Sequence, residues 1–201
     1  MTYLAVIIPA AGAGRRMRGR DKLLEQIDGV ALLARGVRRA EAVATQVIVT
    51  LPEAAAERHA CLFGTTATVC EVSDASEGMA ASIRTGMAAL RGTCDAVMIL
   101  PADMPDITIK DMKQMLAQFA EHDGQMICRG HSKCGRAGHP VIFPPDCFAA
   151  LTTLTGDQGG RNILRQHAQR VVKVGLPADH AITDLDTPEA WEKWRYARGK
   201  P

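Results

Sequence analysis

No apolar run in this sequence approaches the length of a membrane span. The N-terminus also lacks the charged-then-apolar layout of an export signal, so a cytoplasmic chain without a membrane partner is expected. Neither sign of charge dominates: 24 Lys and Arg against 22 Asp and Glu leave a formal net charge of +2. That balance excludes a chain whose whole surface attracts nucleic acid. The six cysteines (Cys61, Cys70, Cys94, Cys128, Cys134, Cys147) lack the spacing of a small disulfide scaffold, and reduced thiols follow. Linkers, repeats and low-complexity tracts are missing too. Residues 1–201 are therefore expected to form one domain, long enough for a three-layer core.

What is present is a dense cationic loop behind a strand. The apolar run Tyr3–Ile8 empties into Ala10-Ala11-Gly12-Ala13-Gly14, followed by Arg15, Arg16, Arg18, Arg20 and Lys22 against the single acid Asp21. Gly12 and Gly14 let the backbone approach a ligand closely, with N–H groups free to point inward. The local cations call for a small polyanion, and the arrangement reads as a triphosphate grip. No Gly-Lys-Ser/Thr follows at P-loop spacing. The third glycine of the dinucleotide fingerprint is replaced by Met17, and Leu33–Arg39 offers no ribose-binding acid, which disfavours a nicotinamide-dependent oxidoreductase.

Strands are expected at Tyr3–Ile8, Gln46–Leu51, Thr66–Val72 and Ala96–Leu100, rich in Val, Ile and Leu. Leu33, Val37 and Ala40 mark one helical face, and Met79, Ile83, Met87 and Leu90 a second. Ile109–His122 reads as a third helix. Near-continuous apolar strands with intervening helices predict an α/β fold whose largely parallel sheet is covered on both faces. Beyond residue 105, Met126–Cys128 and His139–Phe143 read as strands separated by a basic loop, Arg129–Gly138, a candidate lid. A short helix near Asn162–His167, a strand at Arg170–Val174 and a helix after Pro188 complete the pattern. This half, about 106–201, would extend the sheet and wall a pocket over it, while about 1–105 binds the nucleotide.

Ligands of parallel sheets collect at the carboxyl ends of strands. The predicted strand Ala96–Leu100 ends in Pro101-Ala102-Asp103-Met104-Pro105, so Asp103 projects from the end of a buried strand. A carboxylate there calls for a cation, and Mg²⁺ beside phosphates is the usual one. The alternative is that Asp103 bonds the amides of its own turn. A second acidic turn, Asp184-Leu185-Asp186-Thr187-Pro188-Glu189, reads as a helix start with Thr187 as cap and Pro188 in first position, which leaves Asp184 or Asp186 free to face a metal. Cys128, His131, Cys134 and His139 have a superficially zinc-like spacing. His59, His122, His167 and His180 sit among polar residues and read as solvated; Met98, Met112, Met115 and Met126 read as core fillers.

Six ordered blocks carry a resemblance that spans nearly the whole chain: AAGAGRRMRGRDKLL from Ala10, EGMAASIRTG from Glu77, LPADMP from Leu100, GHPVIF from Gly138, GDQGGR from Gly156 and DLDTPE from Asp184. Together they resemble the molybdenum cofactor nucleotidylyltransferases, most closely the cytidylyltransferase branch. The resemblance implies a Rossmann-like, three-layer α/β/α nucleotidyltransferase fold with a mostly parallel mixed sheet. It implies Mg²⁺ on Asp103 and Asp186, and CTP or another nucleoside triphosphate over Ala10, Ala11, Gly12 and Gly14. Arg16 and Lys22 would hold the triphosphate and, with Asp103, act in catalysis. Asp74, Gly78 and Ser82 would lie by the base and sugar. His139, Asp157 and Arg161 would face a molybdopterin-type phosphate acceptor, and the product would pass to a molybdoenzyme or its chaperone. A sugar phosphate is the alternative acceptor.

Three departures from the family pattern bear on this. Ala10-Ala11 stands where the guanylyl branch has Gly-Gly, which favours cytidylyl transfer. Met17 is followed by Arg18-Gly19 instead of Gly, adding a cation expected beside the phosphates. Asp103-Met104-Pro105 replaces the usual Asp-Gln-Pro and keeps the carboxylate.

Overall fold

The computed structural model describes residues 2–12, 14–156 and 159–199, with Arg15 described by its backbone alone. The apolar runs become strands β1 (Leu4–Pro9), β4 (Gln46–Pro52), β5 (Thr68–Val72) and β6 (Ala96–Ile99). The second half supplies β7 (Ile127–His131), β8 (Ala137–Phe143) and β9 (Val171–Gly175). These seven form one sheet in the order β5-β4-β1-β6-β8-β7-β9, parallel except where β8 runs against β6 and β7. A separate two-stranded hairpin, β2 (Gln26–Ile27) with β3 (Val30–Ala31), follows the cationic loop.

Both faces of the sheet are covered. Along β1, Leu4, Val6 and Ile8 join one core with α1 (Leu32–Glu41), α4 (Ile109–Glu121) and α7 (Pro188–Ala197). Ala5 and Ile7 join the other, with α3 (Met79–Ala88), α5 (Phe148–Thr152) and α6 (Arg161–Gln166). Alternate side chains of a strand point to opposite faces, so a strand apolar at every position is one that two helical layers bury. The result is a three-layer α/β/α sandwich with a mostly parallel mixed sheet, as expected. Two short helices, α2 (Ala56–Cys61) and α5, carry no periodic signal; five or six residues are too few to display one.

The basic segment after residue 128 departs from expectation. Arg129–His131 belongs to β7 and Ala137–Gly138 to β8, so only residues 132–136 form the connecting turn. Backbone packing explains it. A Cβ on Gly130 would lie 2.5 Å from the His139 carbonyl oxygen, and one on Gly138 only 1.8 Å from that of Ala181. These glycines let the hairpin close on itself and seat the 181 segment across it, where the Ala181 carbonyl accepts the His139 amide at 2.8 Å. No lid remains. His180 is not solvated either: its Nδ1 lies 2.8 Å from the buried Asp111, whose carboxylate also closes the capping box with Thr108 at the start of α4. Met98, Met112 and Met115 fill the core, whereas Met126 is only half-buried. No helix among the described residues is long and apolar enough to cross a membrane.

Gly138→Ala should therefore destabilise the chain by roughly 3 kcal/mol, the upper range for overpacking. Gly36→Ala, in α1 with nothing within 4 Å of the added methyl, should instead stabilise it, by about 0.5–1 kcal/mol. Thermal unfolding of both variants checks the pair, and equal melting temperatures would contradict this account of the hairpin.

Candidate active site

The sheet changes direction of growth at β1, which has β4 on one side and β6 on the other. The loops leaving the carboxyl ends of β1 and β6 flank that switch point, where α/β sheets open a crevice. The first loop is fixed from behind. Ala10 donates its amide to the Thr50 carbonyl at 2.9 Å. Buried Arg58, from α2, donates to the carbonyls of Ala10 at 2.5 Å and Gly12 at 3.1 Å, and its Nε bonds Asp21 at 2.6 Å. Because a trans peptide points its C=O and N–H in opposite directions, holding the Ala10 carbonyl turns the Ala11 amide the other way. Fully buried Met17 pins the far end of the loop. Arg58 escaped the sequence reading since a lone Arg in a short helix carries no motif.

In front of the loop lies a cavity of about 160 Å³ lined by Ala10, Ala11, Gly12, Lys22, Gly78, Ser82 and Asp103, with Met79 at its edge. Gly78 begins α3 at φ 84° and ψ −148°, a backbone conformation open only to glycine, and so lets the chain turn into the helix against the cavity. Asp74 does not line it; its carboxylate accepts from Ser76 Oγ at 2.5 Å on the exposed side. Glu77 joins Arg84 by two bonds of 2.7 and 2.6 Å and also accepts the Gly156 amide at 3.2 Å, which holds its carboxyl down to about 2.

Lys22 Nζ lies 2.5 Å from Asp103 Oδ2 and 2.5 Å from Asp186 Oδ1, in a side chain only 13% exposed. Burial works against its charge, but the two carboxylates more than offset that and raise its pKa above the ordinary lysine value. Arg16 also pairs with Asp186. Of the acidic turn, Asp186 is thus the residue that reaches the site, and Thr187 caps α7 by accepting the Ala190 amide at 3.2 Å. Asp184 is exposed; partial desolvation, then the charges of Asp186 and Asp103, push its pKa up.

Four cations of the loop are balanced from within the chain, whereas the local charge alone called for a small polyanion. Arg16 and Lys22 meet the carboxylates just named, Arg20 lies 3.2 Å from Glu25, and Arg18 lies 2.5 Å from Glu189. Arg18 adopts a left-handed conformation, φ 53°, that turns it to the rim, away from the cavity where a further phosphate contact was expected. Asp103, Asp186 and Glu189 come from distant parts of the sequence and Glu25 follows just beyond the run, so a count over Arg15–Lys22 does not reveal them.

Asp103 and Asp186 aim at one point from two loops, an all-oxygen set suited to a hard divalent cation. Among the described residues no group of three or more His, Cys, Asp and Glu is gathered so as to hold a metal, the Cys128–His139 segment included. Two carboxylates fit a cation that shares its shell with phosphate oxygens and waters.

A second cavity, of about 220 Å³, adjoins the first across Met79. His139, Arg161 and Arg129 line it. His139 is half-buried, and burial first, then Arg129, pushes its pKa down to about 4, so the ring is neutral near pH 7. Asp157 lies outside the described residues.

Known proteins share this architecture. "Purine catabolism protein PucB" of Bacillus subtilis (strain 168) is 26% identical over 205 residues, 97% of each chain. A solved structure of the Mycobacterium tuberculosis Rv0371c homolog from Mycobacterium sp. strain JC1 superposes with a TM-score of 0.84 at 25% identity, covering 97% of this chain and 96% of that one. Rv0371c of Mycobacterium tuberculosis H37Rv, solved as a complex with manganese, superposes at 0.76 and 22% identity over 96% and 97%. The model of the MobA-like NTP transferase domain matches residues 6–171, most of the chain, including both strand-end loops that build the first cavity. The chain belongs to the MobA-like NTP transferase family and is a nucleotidyltransferase.

Proposed function

We propose that the chain transfers CMP from CTP to the terminal phosphate of metal-loaded molybdopterin, releasing pyrophosphate, with Mg²⁺ as the cofactor. The observation that carries this reading is the meeting of Lys22, Asp103 and Asp186 at the mouth of a cavity floored by the Ala10–Gly12 loop. An attacking phosphate is already an anion, so the reaction asks for alignment and charge neutralisation, with no activated Ser, Cys or His.

The amides of the loop and Lys22 steady the β- and γ-phosphates as pyrophosphate leaves. Arg16, 70% exposed in its side chain, swings from Asp186 to α-phosphate oxygens, where its forked guanidinium suits two oxygens at once. Asp103 and Asp186 would hold Mg²⁺, which when bound neutralises charge on the phosphates and polarises them. Gly78 and Ser82 border the base and sugar. Ala10 and Ala11 line the cavity where the guanylyl branch has two glycines, which supports a pyrimidine over a purine. His139 and Arg161, in the adjoining cavity, face the acceptor. A bound Mn²⁺ in a protein of the same fold supports a divalent cation here.

The deciding experiment records pyrophosphate release from each nucleoside triphosphate with Mg²⁺, with and without metal-loaded molybdopterin. Preference for CTP with an absolute pterin requirement is expected; release without the pterin redirects the reading to a sugar-phosphate acceptor. Lys22→Ala should lower the transfer rate by roughly 10²-fold or more, the usual cost of losing one preorganised charge contact in a transition state. Turnover within about threefold of wild type would remove Lys22 from this role. Asp103→Asn should abolish most Mg²⁺-dependent turnover and leave the far-ultraviolet circular dichroism unchanged. An unfolded Asp103→Asn protein would instead assign Asp103 to its own turn.

A further inference from the structure

Among the described residues the second cavity holds two guanidinium groups and no carboxylate. Arg129 comes from β7 and Arg161 from the first turn of α6, elements that meet only through the fold. Among the described residues neither forms an ion pair, in contrast with the paired cations of the first loop. Arg129 is anchored by a single bond: its Nε donates to the Gly138 carbonyl at 3.1 Å. That leaves both terminal nitrogens, the prongs of the fork, without a partner among the described residues.

Position is enforced by backbone. The pairing of β7 with β8 shifts register between Arg129 and His131, and Gly130 allows the close approach to His139 that this shift requires. Burial, and then the charge of Arg161, lower the Arg129 pKa, so a half-buried cation and an exposed one face the same space. Neutral His139 adds no charge of its own. Holding two cations together this way is unfavourable unless an anion enters between them. The remaining walls are Ile83, Val141, Phe143 and Leu164, apolar and partly flat.

We propose that Arg129 is an anion-binding residue of the acceptor site, acting with Arg161 to grip a phosphate-class group borne on a planar, apolar body. This rests on the reading of the second cavity as the acceptor's. It adds a residue that lies outside the six sequence blocks. The carbonyl of Gly138 fixes the Nε edge, so the Nη edge is what presents to the ligand. Lysine, a point charge without that second anchor, would not reproduce it.

The test uses the full chain and a fluorescent planar aryl phosphate, 4-methylumbelliferyl phosphate, against its uncharged parent 4-methylumbelliferone. Wild type should bind the phosphate and discriminate against the parent. Arg129→Ala and the exposed Arg161→Ala should each weaken binding by roughly 10-fold or more, as loss of a charge-assisted hydrogen bond implies. Arg129→Lys should recover only part of it. CTP binding by calorimetry should be unchanged in Arg161→Ala, which also serves if Arg129→Ala is poorly folded. Failure of wild type to bind the aryl phosphate, or equal binding by wild type and both variants, overturns the proposal. Arginine-dependent binding of the probe in a chain that does not use molybdopterin upholds the anion site and removes only the identity of the acceptor.

Discussion

One ammonium group between two carboxylates organises this molecule. Lys22 lies 81 residues from Asp103 and 164 from Asp186, so the bridge joins the first loop, the end of β6 and the turn before α7. The amide of Leu185 reaches the Asp103 carbonyl at 3.4 Å alongside it. A half-buried cation with two anions is stabilising only when its geometry is good, because desolvation opposes every charge in the set. The structure meets that condition by drawing each partner from the rim of one sheet, at the switch point where strand ends converge. Everything placed around the first cavity inherits its position from this convergence.

Arg58 solves a different problem. A glycine-bearing loop is free to approach a ligand, and equally free to adopt other shapes. By donating to two carbonyls of the loop and to Asp21, a single buried guanidinium removes that freedom from the side away from the cavity. The Ala11 amide on the open face is then set before any anion arrives. Preorganised donors of this kind need no rearrangement when charge develops, which is why fixed backbone groups serve phosphate chemistry well. The short α2, undetectable by periodicity, exists in this fold as the platform for that residue.

The sequence made the strands and their layering legible because buried parallel strands must be apolar on both faces, as Leu4–Ile8 and Ala96–Ile99 are. It made Lys22, Asp103 and Asp186 legible as candidates because each follows a strand or precedes a helix with distinct turn chemistry. What it hid is pairing at long range. The acids that meet Arg16 and Arg18 lie some 170 residues away, and a local count therefore overstates the charge left for a ligand. The hairpin's two strands were legible in part, but their extension was hidden: Arg129, Gly130 and His131 look like a solvent loop until the close contacts of Gly130 and Gly138 require strands. Asp74, close to the cavity in sequence, lies outside its lining and accepts from Ser76.

The two cavities on either side of Met79 differ in how their charge is balanced, and that difference bears on the order of events. In the first, every described cation has a carboxylate, so Lys22 and Arg16 can turn to phosphate oxygens only if Asp103 and Asp186 gain another cation as they are released. Leaving two carboxylates facing each other at half-burial would be strongly unfavourable. A triphosphate entering with a divalent cation would exchange all these partners at once, whereas either alone would leave like charges opposed. The second cavity needs no such exchange, since Arg129 and Arg161 already lack a counterion among the described residues. An acceptor anion there meets two cations directly. In the proposed reaction the nucleotide half is therefore gated by charge exchange and the acceptor half is poised, with Met79 the wall between them.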